Sequence, residues 1–161
     1  RAAASLMMGA DKVLCMGQGG SMILAQEAAH LFATALPNFF PVVDSHIQAM
    51  LTAQLTRRDV VLYFSYSGST KELLDNLKIA RERGAGVILI TRFPKSPGAA
   101  YADVVLQCGS HEGPFQGGSV AARIAQLYVV DVLFSELCRR DLEGCRERRE
   151  LVAEVLSDKH I

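Results

Sequence analysis

Hydroxyl side chains are unusually concentrated between residues 65 and 70 of this sequence. The segment FSYSGST follows an apolar run and precedes apolar residues at helical spacing. A helix N-terminus carries unpaired N–H groups and a partial positive charge, so hydroxyls placed there can help to bind an anion such as phosphate. Four side chains in this segment can donate to phosphate oxygens: Ser65, Ser67, Ser69 and Thr70.

Helix capping is the alternative explanation for these hydroxyls. Serine and threonine are ordinary N-cap residues, and Ser69 or Thr70 alone would need no ligand. Capping does not use four hydroxyls in six residues, however, and Gly68 among them allows a ligand to approach the backbone closely. The segment therefore favours an anion site over capping alone.

A glycine-rich segment, GQGGS at residues 17–21, follows an earlier apolar run and also leads into a helical pattern. A dinucleotide site is an alternative here, because Asp44 follows the next apolar run about where a ribose-binding acid would stand. That fingerprint requires a glycine where this chain has Met22, and it gives the hydroxyl-rich segment no role. A Walker P-loop sequence is also absent, so phosphate binding without a nucleotide is the favoured hypothesis.

The elements that must position these two segments alternate along the chain. Short, nearly continuous apolar runs predict strands buried on both faces, at residues 12–16, 39–43, 60–64, 86–90 and 103–107. Helical spacing predicts helices at residues 21–35, 45–55, 71–83 and 119–138, with a short helix near residues 99–102. This alternation indicates an α/β fold, a three-layer α/β/α sandwich around five parallel strands.

Size and charge limit the possible functions. The chain has 161 residues, which suits one domain, and its formal charge of zero gives no reason to expect nucleic acid or a membrane surface as a partner. The four cysteines are scattered without metal-ligand spacing, which predicts reduced thiols, no metal site and no cofactor. No apolar run is long enough to span a bilayer, so we expect a cytoplasmic protein.

Three segments resemble the SIS domain, the sugar isomerase fold that binds phosphosugars: GQGGSMILAQEAAHLF, VVLYFSYSGSTKELLDNLKIARERGAGVILIT and SPGAAYADVVL. Within that superfamily, VVDSHIQAMLTAQLTRRDVVLYFSYSGST and GGSVAARIAQLYVVDVLFSEL are similar to the sugar-phosphate-binding domain of RpiR-type bacterial transcriptional regulators. The resemblance implies a flavodoxin-like SIS domain at residues 9–140 and a C-terminal helical tail at 141–161. It also implies an upstream helix-turn-helix domain, which the first residue, Arg1, suggests is missing from this chain.

The resemblance also implies which residues bind the sugar phosphate. Carried over residue by residue, they are Gly19, Gly20, Ser21, Ser65, Tyr66, Ser67, Gly68, Ser69, Thr70 and Glu112. Tyr66 stands where other members have Gln or His, so its side chain either faces the sugar or packs on the helix.

Catalysis is the main open question at this stage. An aldose–ketose isomerase needs a base and an acid near the sugar, and the segment SHEGPF offers Glu112 and His111 in the region where enzymatic SIS members place a glutamate. His46 is a further candidate acid, whereas His30 lies in a helical pattern and is expected to be packed or interfacial, and His160 lies in the tail. Because no clear acid/base pair is evident, the favoured function is a phosphosugar effector domain and the alternative is a phosphosugar isomerase.

The last long helical pattern indicates self-association. Its apolar residues cover more than one helix face, which predicts a homodimer or a higher homo-oligomer. The set expected to include this interface is Ile124, Leu127, Val130, Leu133 and Phe134. DNA would be contacted only through the upstream domain.

Overall fold

The computed structural model describes residues 1–109, 120–157 and 159 of the chain. Its strands are β1 (Lys12–Gly17), β2 (Phe39–Pro41), β3 (Asp59–Phe64), β4 (Gly86–Thr91) and β5 (Val104–Gln107). Its helices are α1 (Ala2–Met8), α2 (Gly20–Ala33), α3 (Ser45–Thr52), α4 (Lys71–Arg83), α5 (Val120–Arg140) and α6 (Leu142–Ser157), with a 3₁₀ helix at Pro97–Tyr101.

The five strands form one parallel sheet in the order β2-β1-β3-β4-β5. This is the flavodoxin-like strand order, in which the chain reverses its direction of progress between β1 and β3. The register pairs Lys12 with Asp59 and Gly17 with Phe64, so β1 and β3 end side by side. The predicted three-layer fold with five parallel strands is confirmed.

Two apolar layers cover the sheet, one on each face. Val13 and Cys15 of β1 point to the layer that also holds Phe32 of α2 and Leu137 of α5. Their neighbours in β1 point to the opposite layer, where Leu73 packs from α4. This alternation is the period of two expected of a strand, and it explains why strands covered on both faces consist almost entirely of apolar residues.

Element boundaries differ from the predicted ones in a few places. β2 ends at Pro41 rather than at residue 43, and α3 ends at Thr52 rather than at residue 55. The 3₁₀ helix begins at Pro97 rather than near residue 99, because proline suits the first turn of a helix, where its missing N–H has no helical partner. α4 ends at Gly84 with φ of 77°, as the glycine there predicted.

The sequence pattern did not predict α1. Its Ala3, Ala4 and Met7 are buried in the same layer as α2 and α5. The C-terminal segment forms α6, which is held against the body by Arg148: its Nε donates to the carbonyl oxygen of Ala35 at 2.5 Å. Both ends of the described chain therefore pack on one side of the sheet.

Candidate functional site

The two segments singled out in the sequence lie together at one edge of the sheet. β1 and β3 are neighbours, β1 leads into α2 and β3 leads into α4. The helix N-termini after β1 and β3 therefore flank the carboxyl ends of the two strands between which strand order reverses. Ligands of open parallel sheets bind at this position, because the diverging loops leave a crevice there.

Hydrogen bonds from neighbouring elements hold the β3–α4 segment in place. The carbonyl oxygen of Tyr66 accepts from Arg92 N and from Thr91 Oγ1, both at 3.1 Å. The carbonyl oxygen of Gly68 accepts from Gly98 N at 2.9 Å, which joins the segment to the 3₁₀ helix. Ser65 is buried, and its Oγ accepts from Gly68 N at 3.1 Å. The segment is therefore preorganised by β4 and by the 3₁₀ helix.

Gly68 takes a conformation that only glycine tolerates here. Its φ is 63°, and a Cβ on this residue would lie 2.1 Å from Oγ of Ser96 and 3.1 Å from Oγ1 of Thr91. Both the left-handed backbone and the close approach of two side chains exclude a larger residue. Glycine at this position lets the chain turn sharply into α4.

The hydroxyls of this segment do not cap α4. Thr70 is the N-cap residue, yet its side chain makes no capping hydrogen bond, and Ser67 Oγ accepts from Ser69 N at 3.3 Å. Ser67, Ser69 and Thr70 are all exposed. Capping alone therefore does not account for them, and the first turn of α4 presents its N–H groups to the crevice.

The β1–α2 segment makes a similarly tight turn. A Cβ on Gly17 would lie 2.6 Å from the carbonyl oxygen of Ser21, so strand and helix approach each other more closely than a side chain would allow. Gly19, the N-cap residue of α2, has φ of 53°, and its helix lacks a side-chain cap. Ser21 stands half-buried in the first turn of α2.

A buried polar network, which the sequence analysis missed, supports both segments from below. The carboxamide of Gln48 is fully buried; its Nε2 donates to the carbonyl oxygens of Gly17 at 3.1 Å and Val42 at 2.7 Å. Its Oε1 accepts from Nε2 of Gln18 at 2.9 Å and from Nδ2 of Asn76 at 3.3 Å. One side chain of α3 thus links β1, the β1–α2 segment and α4.

Tyr63 of β3 completes this network. Its hydroxyl donates to Oε1 of Gln48 at 3.4 Å, and burial raises the pKa of the phenol, opposed by hydrogen bonds from Gln18 and Asn76. The hydroxyl therefore stays protonated and serves as a donor. No feature of the local sequence distinguishes these residues from ordinary helix and strand positions.

Two adjoining cavities of about 190 Å³ each open at this edge of the sheet. Both are lined by Gln18, Ser21 and Tyr66. The first is completed by Tyr63, Phe64, Ser65, Ser67 and Thr70, and the second by Gly20, Leu24, Ala122, Arg123 and Gln126. Tyr66 therefore faces both cavities, while its ring also meets that of Phe93 edge-on at 5.9 Å.

The predicted site residues on the two segments are thus brought together, namely Gly19, Gly20, Ser21 and residues 65–70. The candidate acid and base, His111 and Glu112, and also His160, lie outside the described residues. His46 lines a different cavity of about 220 Å³ between α3 and α4.

Asp44 has a structural role that the dinucleotide hypothesis did not anticipate. It is the N-cap residue of α3, and its Oδ1 accepts from Ile47 N at 2.9 Å. His30 is exposed on α2, with its Nδ1 3.9 Å from Oε2 of Glu27, so it is not packed within the chain as one of the two expectations had it. Neither residue lines the two adjoining cavities.

The four cysteines are free thiols, as their spacing predicted. Burial raises the pKa of Cys15 far above its ordinary value, and it raises the pKa of Cys108 to about 11 and that of Cys138 to about 11. These three thiols are therefore protonated and poor nucleophiles at neutral pH.

Among residues 1–109, 120–157 and 159, no group of three His, Cys, Asp or Glu side chains is arranged to hold a metal ion. Within the same residues, no helix has the length and hydropathy needed to cross a membrane.

Comparison with known proteins identifies the family. The model of the SIS domain matches residues 6–136. The chain belongs to the SIS domain family. This SIS domain is 34% identical over 159 residues to an uncharacterized HTH-type transcriptional regulator of Caldanaerobacter subterraneus, a match that covers 99% of the chain and 56% of that protein. It is 32% identical over 127 residues to the HTH-type transcriptional regulator RpiR of Escherichia coli K12, covering 79% of the chain and 43% of that protein.

Solved structures have the same fold. The NanR protein of Vibrio vulnificus complexed with ManNAc-6P superposes with a TM-score of 0.92 at 26% identity, over 99% of this SIS domain and 60% of that chain. The sugar isomerase domain of the RpiR transcription factor from Sphaerobacter thermophilus superposes with a TM-score of 0.85 at 23% identity, over 95% and 84%. The chain spans about half the length of the curated relatives it matches.

Proposed function

We propose that this SIS domain is the phosphosugar-binding effector domain of an RpiR-type transcriptional regulator. The phosphate binds between the N-termini of α2 and α4, and the sugar occupies the adjoining cavities. The observation that carries this proposal is the uncapped start of α4, where three exposed hydroxyl side chains adjoin a cavity at the reversal of strand order.

The charge of the phosphate is balanced by dipoles and hydroxyls rather than by a basic cluster. Two helix N-termini contribute partial positive charge, and hydrogen bonds to a charged phosphate contribute about 1.5–3 kcal/mol each. Ser67 and Thr70 are the exposed donors lining the first cavity, and Ser21 lines both cavities.

The regulatory role follows from what the relatives are. Several are HTH-type transcriptional regulators of about twice this length, and NanR was solved with a sugar phosphate. In this proposal a helix-turn-helix domain outside the present chain contacts DNA in the cytoplasm. Such a regulator would exist in two arrangements. Binding of the sugar phosphate shifts the balance between them only to the extent that the two arrangements differ in their affinity for the sugar phosphate.

Self-association belongs to the same proposal, with an interface that differs from the predicted set. Val130, Leu133 and Phe134 are buried in the chain's own core and face no partner. The outer face of α5 instead presents an apolar row at a spacing of four residues: Val120, Ile124, Tyr128 and Val132, each 48–69% exposed. We assign the homodimer interface to this row, because side chains four residues apart share one helix face.

A titration tests the phosphate site. Binding of inorganic phosphate and of a panel of pentose, hexose and aminohexose phosphates is measured by calorimetry and by thermal unfolding. A ligand at one hundred times its Kd stabilises the domain by about 2.7 kcal/mol. The double variant Ser67→Ala, Thr70→Ala should lose this stabilisation and keep the unliganded Tm.

The matched control is Thr34→Ala, Ser157→Ala, which removes two hydroxyls that bond only to carbonyls of their own helices. This control should bind as the unchanged protein does. Equal affinity in the Ser67, Thr70 double variant would refute the placement of the phosphate. NMR of each bound sugar phosphate also tests turnover, and conversion of the ligand would indicate an isomerase instead of an effector domain.

A further inference from the structure

The second cavity contains a buried polar atom without a partner. Gln126 of α5 is only 2% exposed, and its Oε1 has no hydrogen-bond partner in the described part of the chain. Leaving such a group unpaired costs about 1–3 kcal/mol, so most buried side-chain polar atoms are paired. An unpaired carboxamide oxygen that lines a cavity is therefore a candidate contact for a ligand.

The position of Gln126 in α5 does not call for a polar residue. Ala122 and Val130 precede and follow it by four residues, on the same buried helix face. Both are apolar, and an apolar side chain of similar size at residue 126 would pack in this row without an unpaired atom. The packing of the helix alone therefore does not explain why a glutamine stands here.

Arg123 provides a second group in an unfavourable position at the same cavity. A Cβ on Gly20 would lie 3.3 Å from Nη2 of Arg123, so the guanidinium lies against the first residue of α2. A positive charge at a helix N-terminus is destabilising, because that end of the helix dipole is also positive. Within the described residues, no carboxylate forms an ion pair with this arginine.

We propose that Gln126 binds the sugar part of the ligand and contributes to specificity for it. This inference rests on the proposed function. With the phosphate at the start of α4, the sugar extends past Tyr66 into the second cavity. There Oε1 of Gln126 accepts a hydrogen bond from a hydroxyl or N–H of the sugar. Arg123 donates a hydrogen bond to a sugar oxygen, and this bond also compensates for the unfavourable interaction of its guanidinium with the positive end of the α2 dipole. Gln126 is thereby a specificity-determining residue rather than part of the phosphate site.

The variant Gln126→Leu separates this role from a structural one. Since it removes an unpaired buried atom and keeps the side-chain volume, the unliganded Tm should stay the same or rise. Affinity for the sugar phosphate that the unchanged protein binds most tightly should fall about tenfold, which corresponds to about 1.4 kcal/mol. Affinity for inorganic phosphate should not change, because that probe does not reach residue 126.

Further variants distinguish the possible outcomes. Gln126→Met is unbranched and of similar length, and it replaces the leucine variant if the latter does not fold. Gln54→Leu is the control, because Gln54 is exposed just after α3 and its side chain donates to the carbonyl oxygen of Met50 in that helix, away from both cavities. Arg123→Met should likewise weaken sugar phosphate binding and spare inorganic phosphate.

Two negative results have different meanings. If the unchanged protein binds neither inorganic phosphate nor any sugar phosphate, the proposed function is wrong, and the role of Gln126 with it. If the unchanged protein binds both, and Gln126→Leu or Gln126→Met keeps the same ratio of the two affinities, only the role of Gln126 is overturned. A Tm that falls together with both affinities would also overturn it, because it would indicate a structural residue.

Discussion

Replacing Gly68 with alanine is the most direct perturbation of the proposed phosphate site. The left-handed conformation of this residue costs a side-chain-bearing residue about 1–2 kcal/mol. The added Cβ would also lie 2.1 Å from Oγ and 2.6 Å from Cβ of Ser96, and relief of such overlap costs typically about 1–3 kcal/mol. We therefore expect Gly68→Ala to lower the free energy of unfolding by roughly 2–5 kcal/mol.

For a domain of this size, that loss lowers the Tm by roughly 4–20 °C, since each kcal/mol corresponds to about 2–4 °C. The assay is thermal unfolding with and without the tightest-binding sugar phosphate of the panel. Because the segment must move to accommodate the Cβ, stabilisation by the ligand should also disappear. The double variant Gly68→Ala, Ser96→Gly lacks both overlapping atoms of Ser96 and should therefore regain part of the lost stability.

Gly84→Ala is the matched control, since Gly84 has φ of 77° and closes α4 at the opposite edge of the sheet. The added Cβ would there meet Cγ of Arg57 at 2.9 Å, and that exposed, flexible side chain can move away. We expect a loss of about 1–2 kcal/mol from the backbone alone and unchanged ligand binding. If the Gly68→Ala variant binds the sugar phosphate and unfolds at the same Tm as the Gly84→Ala variant, the argument that Gly68 preorganises the phosphate site is refuted.

Two further predictions concern the support of the site and the anchoring of α1. Gln48→Leu leaves the polar groups bonded to Gln48 without their partner, so the free energy of unfolding should fall by roughly 3 kcal/mol in chemical denaturation, whereas Gln54→Leu should have no effect. Hydrogen bonds from Arg139 and Arg140 lower the pKa of Glu136 to about 2 from its ordinary 4.5. Its stabilising effect is therefore complete above pH 4.5 and is lost as the pH falls toward 2. Because Arg140 also donates to Ser5 Oγ at 2.8 Å, the protection of α1 amides, measured relative to the intrinsic exchange rate at each pH, should fall as the pH is lowered through that range and should not do so in Glu136→Gln.

Local patterns were sufficient to predict the sheet and the two segments at its edge. Strands buried on both faces are nearly continuous in apolar residues, with polar ones only at their ends (Lys12, Asp59 and Thr91), so β1, β3 and β4 are visible without tertiary information. The four hydroxyl residues of the segment 65–70 are likewise close together in sequence, and their proximity to residues 19–21 follows from parallel pairing of β1 with β3. The carry-over of site residues from the family resemblance depends on the same local motifs.

The supporting network could not be predicted, because α3 reverses the usual pattern of burial. This helix buries Gln48 and Thr52, while Ile47 and Met50 are 49% and 63% exposed. A sequence pattern assigns the apolar residues to the core and the polar ones to solvent. The burial of Gln48 is favourable because of its hydrogen bonds, and most of their partners, such as Gly17 and Asn76, are distant in sequence.

α1 was missed for a related reason. Its seven residues are too short for a helical period to be recognised, and an isolated helix of that length is unstable in water. Packing stabilises it instead, because Ala3, Ala4 and Met7 fill the layer beside α2 and α5. The same dependence on tertiary contacts hid the outer apolar row of α5, since sequence alone did not separate its buried face from its exposed one.

The unpaired polar atoms of the structure give an independent argument for the position of the site. Among the described residues, two buried side-chain atoms lack a hydrogen-bond partner: Oγ of Ser96 and Oε1 of Gln126. Native proteins rarely retain such groups except where function requires them. Ser96 touches Gly68 in the proposed phosphate segment, and Gln126 lines the second cavity, so both lie at the edge of the sheet where strand order reverses. The free-energy cost of burying two polar atoms without hydrogen bonds is thus concentrated at the proposed ligand site. There a bound sugar phosphate can donate a hydrogen bond to Oε1 of Gln126.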